Sequence, residues 1–132
     1  MITPPEDVDV HESKGGIWWI DMDGILYSKS KKNAPKPTKE DSEEELKSLK
    51  RIVGDRKMCM IADISEIKSA SREDRDLAAA ELEKLVKAMA MVTTSPLSKM
   101  VVNLFFGLKP ASYPVKIFNT EKEAKSWIIQ YL

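Results

Sequence analysis

A short apolar run at residues 58–62, Met-Cys-Met-Ile-Ala, stops abruptly at Asp63-Ile64-Ser65. Five apolar residues bounded by charge are the length of a buried strand. Behind them, Ser71-Arg72-Glu73-Asp74 has the Ser-x-x-Asp spacing that opens a helix. Strand, polar loop, helix is the order in which open α/β sheets present their sites. The candidate interaction loop is therefore Asp63, Ser65, Ser69 and Ser71.

Upstream, the pattern changes to antiparallel strands. Ile17-Trp18-Trp19-Ile20-Asp21-Met22, then Asp23-Gly24, then Ile25-Leu26-Tyr27-Ser28 predicts a hairpin with a two-residue type I′ turn. That turn would set Met22 opposite Ile25, Ile20 opposite Tyr27 and Trp18 opposite Lys29 on a core face. Val8-Asp9-Val10-His11-Glu12 also alternates and adds a candidate edge strand. Residues 29–39 carry Lys31-Lys32, Pro35 and Pro37 without apolar periodicity, and read as a solvated linker.

Four helices follow. Thr38 and Ser42 each offer a cap, with Leu46, Leu49, Ile52 and Val53 on one face and Gly54 closing. Ser71 opens the second helix, which buries Leu77 and Ala78. Near Leu85 this helix gives way to a strand, because Val86, Ala88, Ala90 and Val92 alternate with Lys87, Met89 and Met91. Ser95-Pro96 opens the third helix and Thr120-Glu121-Lys122-Glu123 is a capping box for the fourth. Val115-Lys116-Ile117-Phe118 between them reads as a strand. The chain is expected to be α/β, a mixed sheet of an N-terminal β-hairpin and three parallel strands with four helices. Residues 1–14 form an N-terminal segment and residues 15–132 a single domain.

Composition narrows the function classes. Lys plus Arg and Asp plus Glu number 21 each, so the chain lacks the positive charge of a nucleic-acid binder. One His and one Cys leave no metal-ligand spacing and no cofactor motif. His11 has no Gly-x-Ser-x-Gly elbow to serve, so no catalytic residues are assigned. Asp21 and Asp23 flank the hairpin turn, where turn formation accounts for them. Cys59 sits within the apolar run and reads as a small hydrophobe. No stretch approaches the ~20 apolar residues of a membrane span, and residues 1–7 have no signal-peptide pattern. A reducing cytoplasm is the expected compartment.

The element order, with Cys59-Met60-Ile61-Ala62-Asp63-Ile64-Ser65, resembles the STAS type, the fold of anti-sigma-factor antagonists. More narrowly, the chain is similar to small bacterial STAS/SEC14-like domains. The resemblance rests on Trp19-Ile20-Asp21-Met22-Asp23-Gly24-Ile25-Leu26, Ile61-Ala62-Asp63-Ile64-Ser65, Ser95-Pro96-Leu97-Ser98-Lys99 and Pro114-Val115-Lys116-Ile117-Phe118-Asn119, leading to Ala124 and Trp127. In phosphorylated members an Asp-Ser-Ser-Gly motif carries the acceptor serine. Here those positions fall on Lys68-Ser69-Ala70-Ser71, so the phosphoserine switch does not carry over. The resemblance implies a non-enzymatic protein-interaction or regulatory domain.

The third helix holds surplus apolar surface. Leu97, Met100, Val101, Leu104, Phe105 and Leu108 form a complete stripe expected to be buried, and Val102 and Phe106 widen it. Either this helix is wedged deep in the core, or Val102, Phe105 and Phe106 form an apolar surface. Such a surface would serve a homodimer, or an apolar, lipid-like small molecule held at the third and fourth helices.

Overall fold

The computed structural model describes residues 2–33, 38–67, 72–108 and 110–132, with the side chains of residues 42, 72–75, 77 and 78 left aside. Ser69, Ser71, Leu77 and Ala78 thus lie outside what is described, as does the middle of the lysine–proline linker. Six strands form one sheet in the order β1-β2-β3-β4-β5-β6. They are β1 (His11–Glu12), β2 (Gly16–Ile20), β3 (Leu26–Ser30), β4 (Met58–Asp63), β5 (Val86–Val92) and β6 (Val115–Phe118). The first two pairings are antiparallel; β3, β4, β5 and β6 run parallel. The helices are α1 (Lys39–Val53), α2 (Arg72–Leu85), α3 (Pro96–Leu108) and α4 (Glu121–Ile128), the last running into a 3₁₀ turn at Ile129–Tyr131. The expected mixed α/β sheet with four helices is present, and α2 gives way to β5 at Leu85.

Right-handed crossovers send the helices after β3, β4 and β5 to a single face. Their packing agrees. Leu46 and Leu49 of α1, Leu82 of α2, and Val102 and Phe106 of α3 join Met60, Ala62, Met89 and Met91 in one apolar cluster. The opposite face holds Trp19, Tyr27, Cys59, Ile61, Ala88, Ala90 and Val92, covered by Ala124 and Ile128 of α4 and by Ile2. The alternation of β4 between the two clusters follows from the two-residue period of a strand. A bulge opposite Met58–Cys59 leaves Lys87 as an extra residue in β5, which turns Val86 toward the crossover helices.

The hairpin departs from expectation by one residue. Its Cα partners are Ile20 with Leu26, Trp19 with Tyr27 and Trp18 with Ser28. A three-residue connection, Met22 to Gly24, replaces the two-residue turn. Asp21 N–H donates to Ile25 C=O (3.0 Å), Gly24 N–H donates to Asp21 C=O (3.1 Å), and Gly24 takes φ +83°. The cause is the Asp21 side chain, whose Oδ1 accepts from the N–H groups of Asp23 (3.0 Å) and Ile25 (2.9 Å). A local side-chain acceptor has outcompeted the ladder. A one-residue slip exchanges faces, so Trp19, not Ile20, lies opposite Tyr27 and stacks on it, with ring centroids 5.3 Å apart. Met22, expected on the core face, is 90% exposed. Trp18 turns to the other side, where its β1 partner His11 stacks on it at 4.1 Å.

Thr38 caps α1 in a reciprocal box with Asp41, and the helix ends at Gly54. Val53 is buried, but Ile52, expected beside it, is 46% exposed, because it lies about 100° around the helix from Val53. In α3 the expected buried stripe is turned outward. Ser98 and Val102 are the buried residues, and Leu97, Met100, Leu104 and Leu108 face solvent.

Gly16 begins β2 where the chain crosses close to β3. A Cβ there would sit 2.3 Å from the Lys29 carbonyl oxygen, whereas at Gly15 it would meet nothing within 4 Å. Gly16→Ala is expected to destabilise the protein by about 1–3 kcal/mol, as overpacking does. Gly15→Ala should stay within ~0.5 kcal/mol of the parent. Urea denaturation of the two variants checks the contrast.

Candidate functional site

The carboxyl ends of β4, β5 and β6 lie side by side, so the loops that follow them meet. Val92 C=O accepts from Ile64 N–H (3.1 Å), and Thr93 N–H donates to Phe118 C=O (3.0 Å). Each strand is thereby extended one residue past its partner. Beyond that point the main chains diverge, and side-chain hydroxyls take over the pairing.

Thr93, fully buried, is the hub. Its Oγ1 accepts from the Ser65 hydroxyl (3.2 Å) and from Ser95 N–H (3.0 Å). Ser95 caps α3, its Oγ accepting from Ser98 N–H (3.2 Å). The Ser98 hydroxyl, also fully buried, donates to Ile67 C=O (2.8 Å) and lies 3.2 Å from Ser65 C=O. Asp63 is buried at the end of β4, where Oδ1 accepts from Ser65 N–H (2.9 Å). Four hydroxyls and one carboxylate thus tie the β4–α2 loop to the start of α3.

Of the candidate loop residues, the structure brings Asp63 and Ser65 into this network; Ser69 and Ser71 are not among the described residues. Thr93 and Ser98 went unremarked as site residues in the sequence. One signal for Ser98 was available: it lies three residues after a cap, a small polar side chain within an otherwise apolar helix.

Of the candidate apolar residues, Val102 is 6% exposed and belongs to the core. Phe106 packs against that core, and Phe105 meets it edge-on with centroids 4.8 Å apart. Val102 is therefore corrected from a surface to an interior position. Ser98, held by two loop carbonyls, fixes the rotation of α3 so that Val102 faces the sheet.

A groove of about 810 Å³ lies along α3, with β6 as its main second wall and Glu123 the residue of α4 that reaches it. Its lining includes Phe106, Tyr113, Val115 and Ile117, with Lys99, Asn103 and Lys116 among its polar groups. Burial pushes the Tyr113 phenol up to about 12, with the Glu83 charge adding to it. Lys99 Nζ donates to Asn119 Oδ1 (2.8 Å).

Elsewhere, titratable groups serve packing. Burial raises the Cys59 thiol above its usual range against the opposing charge of Lys87, and so disfavours the reactive thiolate. Burial, then the Asp21 and Glu121 charges, raise the Tyr27 phenol. Lys125 of α4 reaches Asp23 (3.4 Å) and Asp21 (3.9 Å), tying the hairpin turn to the helix that covers it. Among the described residues, no three of His, Cys, Asp and Glu gather as a metal site, and no helix is long and apolar enough to cross a membrane.

The chain belongs to the family described as Domain of unknown function (DUF7793), whose model matches residues 18–132. Among solved structures it is similar to an uncharacterized protein of the DUF3478 family from Shewanella loihica PV-4, which has a SpoIIAA-like fold. That likeness has 20% identity and a TM-score of 0.57, covering 92% of this chain and 91% of the other. It shows the fold, which is the STAS fold. Comparison with curated proteins finds no match.

The hydroxyl network makes Ser98 a sensitive position. Ser98→Ala leaves the part-buried carbonyl of Ile67 without this donor, and is expected to cost about 1–3 kcal/mol. Ser95→Ala removes only a cap and should cost about 1 kcal/mol. Guanidinium unfolding monitored by tryptophan fluorescence checks both values.

Proposed function

We propose that this DUF7793 member is a non-enzymatic protein-interaction domain of STAS type that docks through the outward face of α3, a second copy of the chain being its partner. The observation that carries this reading is the turned stripe. Leu97, Met100, Leu104 and Leu108 are 43%, 61%, 61% and 65% exposed on one side of α3. Isolated exposed apolar residues are ordinary, but a contiguous row on one helix marks a contact surface. This row carries no charge, so two copies related by a twofold axis would meet without like-charge repulsion. Gly107 lies on the same side, where a Cβ would touch nothing within 4 Å. Nothing among the described residues calls for glycine there, and its small size would let a partner helix approach closely.

This reading takes residues 15–132 as the domain, with residues 1–14 docked on it through Ile2 and β1. The loop with Asp63, Ser65, Ser69 and Ser71 is the proposed regulatory contact, since Ser98 links it directly to α3. A buried free thiol suits a reducing, cytoplasmic compartment in a bacterial cell. The second reading, an apolar small molecule, is supported by the α3–β6 groove. Native mass spectrometry of protein purified from its own host would reveal a retained ligand.

Leu104→Glu is expected to weaken a dimer at least ~10-fold, as loss of an interface anchor does. It should leave far-UV circular dichroism unchanged, because the side chain already faces solvent. Sedimentation equilibrium makes the test, and a parent protein monomeric at all loading concentrations overturns the second-copy reading. Phe106, packed inward, is not a usable probe.

A further inference from the structure

We propose that the free edge of β6 is a peptide-binding site, at which an extended acidic segment of a partner protein adds a seventh strand to the sheet. The site is separate from the α3 stripe and does not rest on it. The juxtaposition behind the proposal is an open strand edge running beside a helix.

Among the described residues β6 ends the sheet, pairing with β5 alone. Pro114 C=O accepts from Met89 N–H, and Phe118 C=O accepts from Thr93 N–H. Backbone groups alternate sides along a strand. Pro114, Lys116 and Phe118 therefore point toward β5, and Val115 and Ile117 point their N–H and C=O groups away from it. Neither has a backbone partner among the described residues beyond the ladder. Four backbone groups are available to an incoming strand.

The groove tracks this edge. Residues 115–119 all line it, together with Lys99, Asn103 and Phe106 of α3. Consecutive strand side chains alternate faces, so a cavity touching all five must pass along the edge itself. An extended segment there would pair with β6 and lay alternate side chains against α3, the geometry of strand addition.

Charge selects the occupant. Lys116 is exposed on the edge, with its Nζ 5.5 Å from the Phe118 ring centroid, and Lys99 stands on the facing helix. The carboxylate of the groove, Glu123, accepts from the Thr120 hydroxyl (3.0 Å). Antiparallel pairing of two β6 edges would bring two copies of Lys116 together, the way natural edge strands block self-pairing. An acidic segment meets complementary charge instead.

The test uses the full chain and synthetic octapeptides that alternate valine with glutamate, or valine with lysine, each fluorescently labelled. The acidic peptide should bind saturably, and the lysine peptide at least ~10-fold more weakly. N-methylating either the valine or the glutamate amides should abolish binding for one set and spare it for the other, because only alternate N–H groups face β6. Ile117→Pro removes an outward N–H without touching the β5 ladder and should abolish binding. Lys116→Glu should reverse the charge preference, and Leu104→Glu should leave binding intact whether or not the α3 stripe dimerises the protein. Binding indifferent to the methylation pattern, equal binding of both peptides, or no binding overturns the proposal. A dimer dissolved by Ile117→Pro overturns it in favour of a second copy.

Discussion

Two parallel strands at the centre of the sheet, β4 and β5, are apolar on both faces, and each face must be covered. Three successive right-handed crossovers send α1, α2 and α3 to the same face. The other is left to α4, the last helix, and to the N-terminal segment. The contact between α4 and the sheet therefore decides whether the second face is buried at all. It is built from small residues, with Ala88, Ala90 and Cys59 in the sheet and Ala124 on the helix. Small side chains let the helix approach closely, and Ile128, Trp127 and Tyr131 fill the space around them. Lys125, bridging to the hairpin turn, fastens the same helix at the sheet's antiparallel side.

Placing α4 there has a consequence for the opposite side of the sheet. With α1, α2 and α3 aligned across one face, α3 is the outermost helix, beside the edge strand β6. It has an inner side to bury and an outer side whose Leu97, Met100, Leu104 and Leu108 stay exposed among the described residues. Ser98 decides which is which. Its hydroxyl is committed to the carbonyls at the end of the β4–α2 loop, so Val102 and Phe106 point inward and Leu104 points outward. The hydroxyl network, the exposed stripe and the groove are thus linked through one helix rotation. The loop after β4 and the start of α3 are therefore joined directly, through the Ser98 hydroxyl.

Strand limits were legible because charge ends apolar runs sharply at Asp63 and because β5 alternates after Leu85. Thr38, Thr120 and Ser95 could be read as caps, since a cap depends on residues within one turn. The hairpin shows how far such local reading extends. Asp23-Gly24 signalled a turn correctly, but its length was set by Asp21, whose carboxylate took two backbone N–H groups. A choice between two- and three-residue connections rests on one hydrogen-bonding side chain, and its effect is to bring Trp19 in place of Ile20 opposite Tyr27 and to leave Met22 in solvent.

By itself, the sequence determined the element order, the mixed sheet and the identity of the loop after β4, because periodicity and capping act over a few residues. It also placed surplus apolar surface on the third helix. Only the tertiary structure decided which side of that helix is interior, since two overlapping stripes satisfy the same helical period. The choice came from contacts 31 and 33 residues away, those of Ser98 with Ile67 and Ser65. The groove beside β6 is likewise a tertiary fact. A strand edge is exposed or covered according to its neighbours, and among the described residues β6 has a strand partner on one side, β5.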